Sequence, residues 1–167
     1  ATKKRLEELW GSPPNLYRAL ANHPPLVAAW TEFARAIRYE SRTPRALREL
    51  VILRGAQLMK SEYEWAQHLK MARKAGVPEA QIQELASWRA SSSFTAREKA
   101  ALALAEEVTR GQVSDATQAE VLKHFGQQDY VELSLTAAFY AMVGRMLDAM
   151  GVELEPDARA YSPKLPG

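Results

Sequence analysis

TPRALRELVILRGAQLMKSEYEWAQHLKMARKAG, residues 43–76, is the stretch whose periodicity decides the fold. Thr43 reads as an N-cap with Pro44 at the first helical position, opening a helix through about Met59. Its Leu47, Leu50, Val51 and Leu58 form an apolar stripe, and the helix is expected to be mostly buried. Ser61 with Glu64 three residues on reads as a capping box that starts a second helix, which runs to Ala75 and stops at Gly76.

The same punctuation extends outward in both directions. Pro24 and Pro25 mark the entrance to a helix over about Pro25–Tyr39, with Leu26, Trp30, Phe33 and Ile37 at steps of three and four. Val77 and Pro78 open a short helix to about Trp88, and the polar run Arg89–Ser93 breaks the pattern. Thr95 with Glu98 is a further capping box, heading a helix to about Arg110 that ends at Gly111. Ser114 caps a helix to about Phe125, with Gly126 as its stop. The longest helix, Gln128 to about Met150, carries few charges and belongs at the centre of the fold or in a subunit interface. The tail beyond Gly151, with Pro156, Pro163 and Pro166, is expected to be extended.

These are seven helices and no run of alternating β-branched residues, so the chain is all-α, a single-domain helical bundle over residues 1–167. The two halves echo faintly, Thr43-Pro44-Arg45 against Thr95-Ala96-Arg97, with an offset that drifts from 52 to 48 residues and leaves a duplication open.

Hydrophobic residues make up 47% and charged residues 25%, which is globular usage. No cysteine is present, so disulfides, thiolate nucleophiles and thiol redox relays are excluded. The start of the chain lacks a signal-peptide pattern, and the apolar run Val131–Val143 is interrupted by Glu132 and too short to span a bilayer; a soluble, cytoplasmic protein is expected. The net charge of +2 comes from scattered residues, with only Lys3-Lys4-Arg5 clustered, so neither nucleic acid nor a membrane is indicated as a partner.

Three histidines are candidates for chemistry. His23, before two prolines, and His124, at a helix end, read as caps or surface residues. His68 differs, because Ser61, Glu64 and His68 fall within about 60° of one another on a helix face that also carries Trp65 and Ala72. An imidazole one turn from a carboxylate against apolar surface suits general acid–base work. A capping box alone would also explain Ser61 and Glu64, and a histidine on such a face is commonly a hydrogen-bonded core residue. Glu49, flanked by Arg45 and Arg48, reads from pattern alone as part of a solvated helical charge cluster. Arg54, within an apolar stretch, is an anion-binding or interface candidate whose default is to extend to solvent. One histidine with two carboxylates is weak evidence for a metal, and none is expected.

The blocks Arg48-Glu49-Leu50-Val51-Ile52-Leu53-Arg54, Ser61-Glu62-Tyr63-Glu64-Trp65-Ala66-Gln67-His68 and Ala72-Arg73-Lys74-Ala75-Gly76-Val77 resemble the core signature of the carboxymuconolactone decarboxylase and alkylhydroperoxidase D-like family. Phe139-Tyr140-Ala141-Met142-Val143-Gly144-Arg145 resembles its final helix, and the similarity spans about Pro24 to Val152. In the peroxidase branch a glutamate precedes a Cys-x-x-Cys pair and a histidine; Glu49 and His68 match, while Ser61 and Glu64 stand where the sulfurs would be. The resemblance therefore implies the cofactor-free decarboxylase branch, with peroxidase and lipoamide-linked activities excluded. It implies a homotrimer or homohexamer, and a departure at Ala141 and Gly144, where relatives commonly carry asparagine.

The expected activity is a cofactor-independent lyase acting on a small carboxylated lactone or keto acid. His68, Glu49 and Glu64 would be catalytic, and Arg45, Arg54, Trp65 and Ser61 would contact the substrate carboxylate or its surroundings. The alternative is a non-catalytic ligand-binding or scaffold member of the family.

Overall fold

The computed structural model describes residues 11–161 and Leu165, and no strand occurs among them. The Lys3-Lys4-Arg5 cluster, Pro163 and Pro166 lie outside the described residues. Nine α-helices follow one another among the described residues. They are α1 (Asn15–Leu20), α2 (Pro24–Tyr39), α3 (Arg45–Met59), α4 (Glu62–Lys74), α5 (Glu79–Glu84), α6 (Ala96–Arg110), α7 (Asp115–His124), α8 (Gln127–Ala149) and α9 (Pro156–Tyr161). A 3-10 turn, Leu85–Ser87, continues α5.

The centre is α3, which packs against α4, α6 and α8. Every residue from Leu47 to Leu53 is buried, because the helix has neighbours on three sides; the apolar ones fill the core and the two charged ones, Arg48 and Glu49, are taken up by polar partners. One flank meets Trp65, Leu69, Leu85, Trp88 and Leu102; a second meets Leu104, Val121, Leu133 and Ala137. The third meets Ile37, Phe139, Tyr140 and Val143. The expectation that α3 is mostly buried holds, and α8 takes the central place predicted for it while keeping an outer stripe of Val131, Leu135, Ala138 and Met142 exposed.

Local signals are correct where the chain is regular and shift where tertiary contacts intervene. Gly111 closes α6 in the left-handed conformation at φ 101°, which glycine adopts without a Cβ clash. Gly126 is instead the extended N-cap of α8 at φ −74°, because α7 has already ended at Phe125. Pro44, rather than Thr43, is the N-cap of α3; it has no side chain to offer the first N–H groups. Thr43 serves through its backbone carbonyl, which accepts from the Arg48 guanidinium. Two short helices, α1 and α9, escape the periodicity reading. Pro156 stands at the first position of α9, where a missing N–H is tolerated, so the tail is helical there rather than extended.

The α2–α3 connection is held by α8. Glu132 accepts the backbone N–H groups of Arg42 and Thr43, each at 2.9 Å, and Arg42 also donates to Gln128 at 2.8 Å. Glu132→Ala should lower stability by about 1–2 kcal/mol in urea unfolding, because two N–H donors lose a charged acceptor; an unchanged midpoint would show that water replaces it fully.

Candidate functional site

The position of Glu64 follows from an incomplete cap. Ser61 Oγ accepts the Glu64 N–H at 3.4 Å, but the Ser61 N–H is already bonded to the Ala56 carbonyl at 3.0 Å. The Glu64 carboxylate therefore has no cap donor to return to. Thr95 and Glu98 form the complete reciprocal box, with Thr95 N–H donating to Glu98 Oε2 at 2.8 Å. The capping-box reading of Glu64 is thus corrected: its side chain turns inward and is 3% exposed.

There it meets His68 and Glu49. Glu49, fully buried on α3, accepts from His68 Nδ1 at 2.8 Å through Oε2, and its Oε1 pairs with the Arg45 guanidinium one turn earlier. The solvated-cluster reading of Glu49 is overturned. His68 Nε2 lies 3.5 Å from Glu64 Oε2, an oxygen that has no hydrogen-bond partner. The Tyr140 ring meets the imidazole edge to face at 4.6 Å. Beyond it, the Tyr140 hydroxyl accepts from Arg38 Nε at 3.1 Å, and Arg38 Nη1 donates to the Tyr17 hydroxyl at 3.0 Å.

The two carboxyls are driven apart in acidity. Burial pushes Glu64 up to about 7, against the pull of His68 and Arg38 and with repulsion from Glu49. Burial acts on Glu49 in the same sense, but His68 and Arg45 outweigh it and hold that carboxyl below its ordinary value. An ionised Glu49 accepting at Nδ1 assigns the imidazole proton to that nitrogen and leaves Nε2 facing Glu64. A proton donor near neutrality, an imidazole and a fixed anion set next to one another can pass a proton.

Not every predicted site residue joins this group. Arg54 lies about 140° around α3 from Glu49, five residues on. It pairs with Glu106 at 2.6 Å and donates to Gln57 at 2.8 Å, so it neither reaches His68 nor extends to solvent. Trp65 is a core residue among Leu50, Leu53 and Leu69, and its indole nitrogen has no partner. Ser61 is the helix cap. Arg45 is close, but its charge is taken up by Glu49. Arg38, Tyr17 and Tyr140 were not singled out; the available signal was that Arg38 borders the apolar face of α2 beside Ala34 and Ile37. His23 caps α2, its Nδ1 accepting from Leu26 N–H at 3.4 Å, and His124 lies 3.3 Å from Glu120. Among the described residues no group of three or more His, Asp or Glu side chains is arranged to hold a metal ion.

Two grooves mark the surface. One of about 740 Å³ runs between α1, α4 and the start of α9, past Arg18, Lys70, Arg73 and Asp157. The other, of about 870 Å³, lies between the α3–α4 turn and the end of α8, past Ser61, Tyr63 and Arg145. Neither is lined by Glu49, Glu64 or His68. Gly144 lines the second, where an added Cβ would come within 2.9 Å of Met59 Cε, so an amide side chain would fit only if Met59 moved aside.

Ionising Glu64 opposes folding. From the ordinary carboxyl value of 4.5 up to about 7, the native chain keeps a proton that the unfolded chain has released, so this contribution to stability falls as pH rises through that window. Glu64→Gln removes it. The unfolding free energy of the variant relative to wild type should rise between about pH 5 and about pH 8, by up to about 3 kcal/mol, in denaturation series at each pH. A difference independent of pH would show that Glu64 does not titrate in this range.

The geometry can be set beside known proteins. Residues 24–107, which include Glu49, Ser61, Glu64 and His68, match the carboxymuconolactone decarboxylase family. Uncharacterized protein YdfG of Bacillus subtilis (strain 168) is 31% identical over 115 residues, 67% of this chain and 78% of that one. A cysteine-to-alanine variant of the debrominase Bmp8 in complex with 2,3,4-tribromopyrrole superposes with a TM-score of 0.81 at 18% identity, over 92% of this chain and 83% of Bmp8. An uncharacterized peroxidase-related protein from Silicibacter sp. TM1040 gives 0.81 at 19% identity, covering 94% and 86% of the two chains. An alkylhydroperoxidase AhpD core protein from Ralstonia eutropha JMP134 gives 0.80 at 18%, over 94% and 86%. At such identities the solved structures carry the fold, an alkylhydroperoxidase D-like helical arrangement. With the family matched across half the chain and a relative above 30% identity, this protein belongs to the carboxymuconolactone decarboxylase family.

Proposed function

We propose that the protein is a cofactor-independent lyase that removes a carboxylate from a small carboxylated lactone or keto acid by acid–base chemistry. The observation that carries this reading is the buried line Glu49, His68, Glu64, with 2.8 Å and 3.5 Å separations and one carboxyl poised near neutrality. Breaking the C–CO2− bond releases CO2 and leaves the electron pair on the adjoining carbon, delocalised into a conjugated carbonyl. Protonation of that carbon by the Glu64 carboxyl, directly or relayed through His68 Nε2, completes the product, and solvent returns the proton to Glu64. Glu49 orients the imidazole through Nδ1, and Arg45 holds Glu49 ionised. Thiol redox chemistry has no residue to run on, since the sequence contains no cysteine.

Turnover by this route should fall by about 100-fold or more in His68→Ala, and clearly in Glu49→Gln, with CO2 release measured over a panel of carboxylated lactones and β-keto acids. With Glu64 as the acid, wild-type activity should decline as pH rises through about 7. Unchanged turnover in both variants discards the lyase reading. A second reading, a ligand-binding scaffold without chemistry, draws support from the 3% exposure of His68 and from two grooves that bypass it. It predicts thermal stabilisation by such acids without CO2.

Self-assembly belongs to the same reading, as a homotrimer or homohexamer. Val131, Leu135, Ala138 and Met142 make an exposed apolar stripe on α8, and exposed Phe33 of α2 packs edge to face on neighbouring Phe139. Leu135→Glu is expected to shift the mass in light scattering to a smaller species; a wild-type monomer at micromolar concentration, or an unshifted variant, rejects the stripe as the interface.

A further inference from the structure

Among the described residues, Arg38 is an arginine without an anion. It is partly buried at the end of α2, and its hydrogen bonds go to two phenols, Nε to Tyr140 and Nη1 to Tyr17. Among the described residues no carboxylate lies within ion-pair distance of it, and its other terminal nitrogen makes no hydrogen bond. Burial keeps the Tyr140 phenol protonated, its pKa raised above the ordinary value, so Tyr140 is a neutral neighbour and not a counter-ion.

The neighbouring arginines do not depend on it. Arg45 and Arg48 both donate to the Arg38 backbone carbonyl, at 3.3 and 3.1 Å, which fixes the end of α2 against α3. Arg45 has Glu49, and Arg48 is bonded to the backbone carbonyls of Ser41, Thr43 and Arg38. Glu64, the other acid in the site, is pushed up to about 7 by burial, lies close enough to Arg38 to feel its charge, and is not within ion-pair distance of it. A guanidinium taken from water without a charged partner is unfavourable, and it is relieved when a carboxylate supplies the acceptor.

We infer that Arg38, aimed by Tyr140 and Tyr17, is the subsite for a carboxylate of a small planar acid, set beside Glu64 and His68. This rests on the lyase reading for its catalytic meaning but not for its existence. It replaces Arg54, which faces Glu106, and Arg45, which is occupied by Glu49. Tyr140 and Tyr17 give the guanidinium two aromatic neighbours, so a flat, conjugated acid is the ligand class that matches it. A carboxylate bound there would put the carbon skeleton of the ligand within range of the proton donor while its charge is neutralised.

Benzoate and its neutral isostere benzamide separate charge recognition from simple apolar binding. Titration calorimetry of the 167-residue chain should show benzoate binding at least 10-fold more tightly than benzamide. Arg38→Met should lose at least 10-fold in benzoate affinity, and Arg38→Lys should recover part of it, with circular dichroism confirming native helix content in each. Tyr140→Phe keeps the ring against His68 and removes only the acceptor of Arg38 Nε, so benzoate should weaken several-fold; this variant covers the case in which Arg38→Met does not fold. Equal affinity for benzoate and benzamide, no benzoate binding by wild type, or full benzoate affinity in the Arg38 or Tyr140 variants would overturn the assignment. Arg38-dependent benzoate binding without CO2 release from any acid would sink the lyase reading and leave the subsite standing.

Discussion

A carboxylate with no exposed surface sits in the middle of the most buried helix, and the site is built around keeping it charged. Glu49 would be forced neutral by its surroundings were it not for the His68 N–H at 2.8 Å on one oxygen and the Arg45 guanidinium on the other. That requirement places α4 against α3 in one register, since only one residue of α4 can present an imidazole there. It sets the imidazole tautomer as well, and so decides which nitrogen faces Glu64.

A second buried carboxylate shows what complete satisfaction looks like. Glu106 on α6 is 3% exposed and accepts from Trp88 Nε1 at 2.9 Å, Arg54 Nε at 2.8 Å and Arg89 Nη2 at 2.9 Å, with Arg110 at 3.3 Å. Burial would raise its pKa, but those donors hold it below the ordinary carboxylate value. It clasps α3 and the turn after α5 to α6, and no acceptor capacity is left for chemistry. Glu64 is its opposite: equally buried, it has an unbonded oxygen and a proton to give near neutrality. The contrast between a saturated and an unsaturated buried acid separates structural from reactive charge in this molecule.

The C-terminal segment is tied to the outer face of α4 by a third carboxylate. Glu155 accepts from Tyr63 Oη at 2.8 Å, Gln67 Nε2 at 2.6 Å and the Asn15 N–H at 2.5 Å, joining α1, α4 and the lead into α9. Because Tyr63 and Gln67 flank Glu64 and His68 along α4, this strap stiffens the helix that carries the reactive pair. It also closes one wall of the groove between α1 and α9.

Sequence alone determined the helical class, the central burial of α3, the boundaries at Gly76 and Gly111, and the coincidence of Glu64 and His68 on one face, because these depend on periodicity and on backbone chemistry within a few residues. It also named Glu49, though only a family resemblance linked that residue to His68, nineteen positions away. Only the tertiary structure decided which charges meet. Arg45 and Arg54 look alike in a string of letters but leave α3 in nearly opposite directions, one to Glu49 and the other to Glu106. Whether Glu64 caps its own helix or turns inward depended on Ala56 already occupying the Ser61 N–H, and the pairing of Arg38 with Tyr140 joins residues 102 positions apart. Such contacts are set by how helices pack, and no local pattern along the chain encodes the distance between two side chains on different helices.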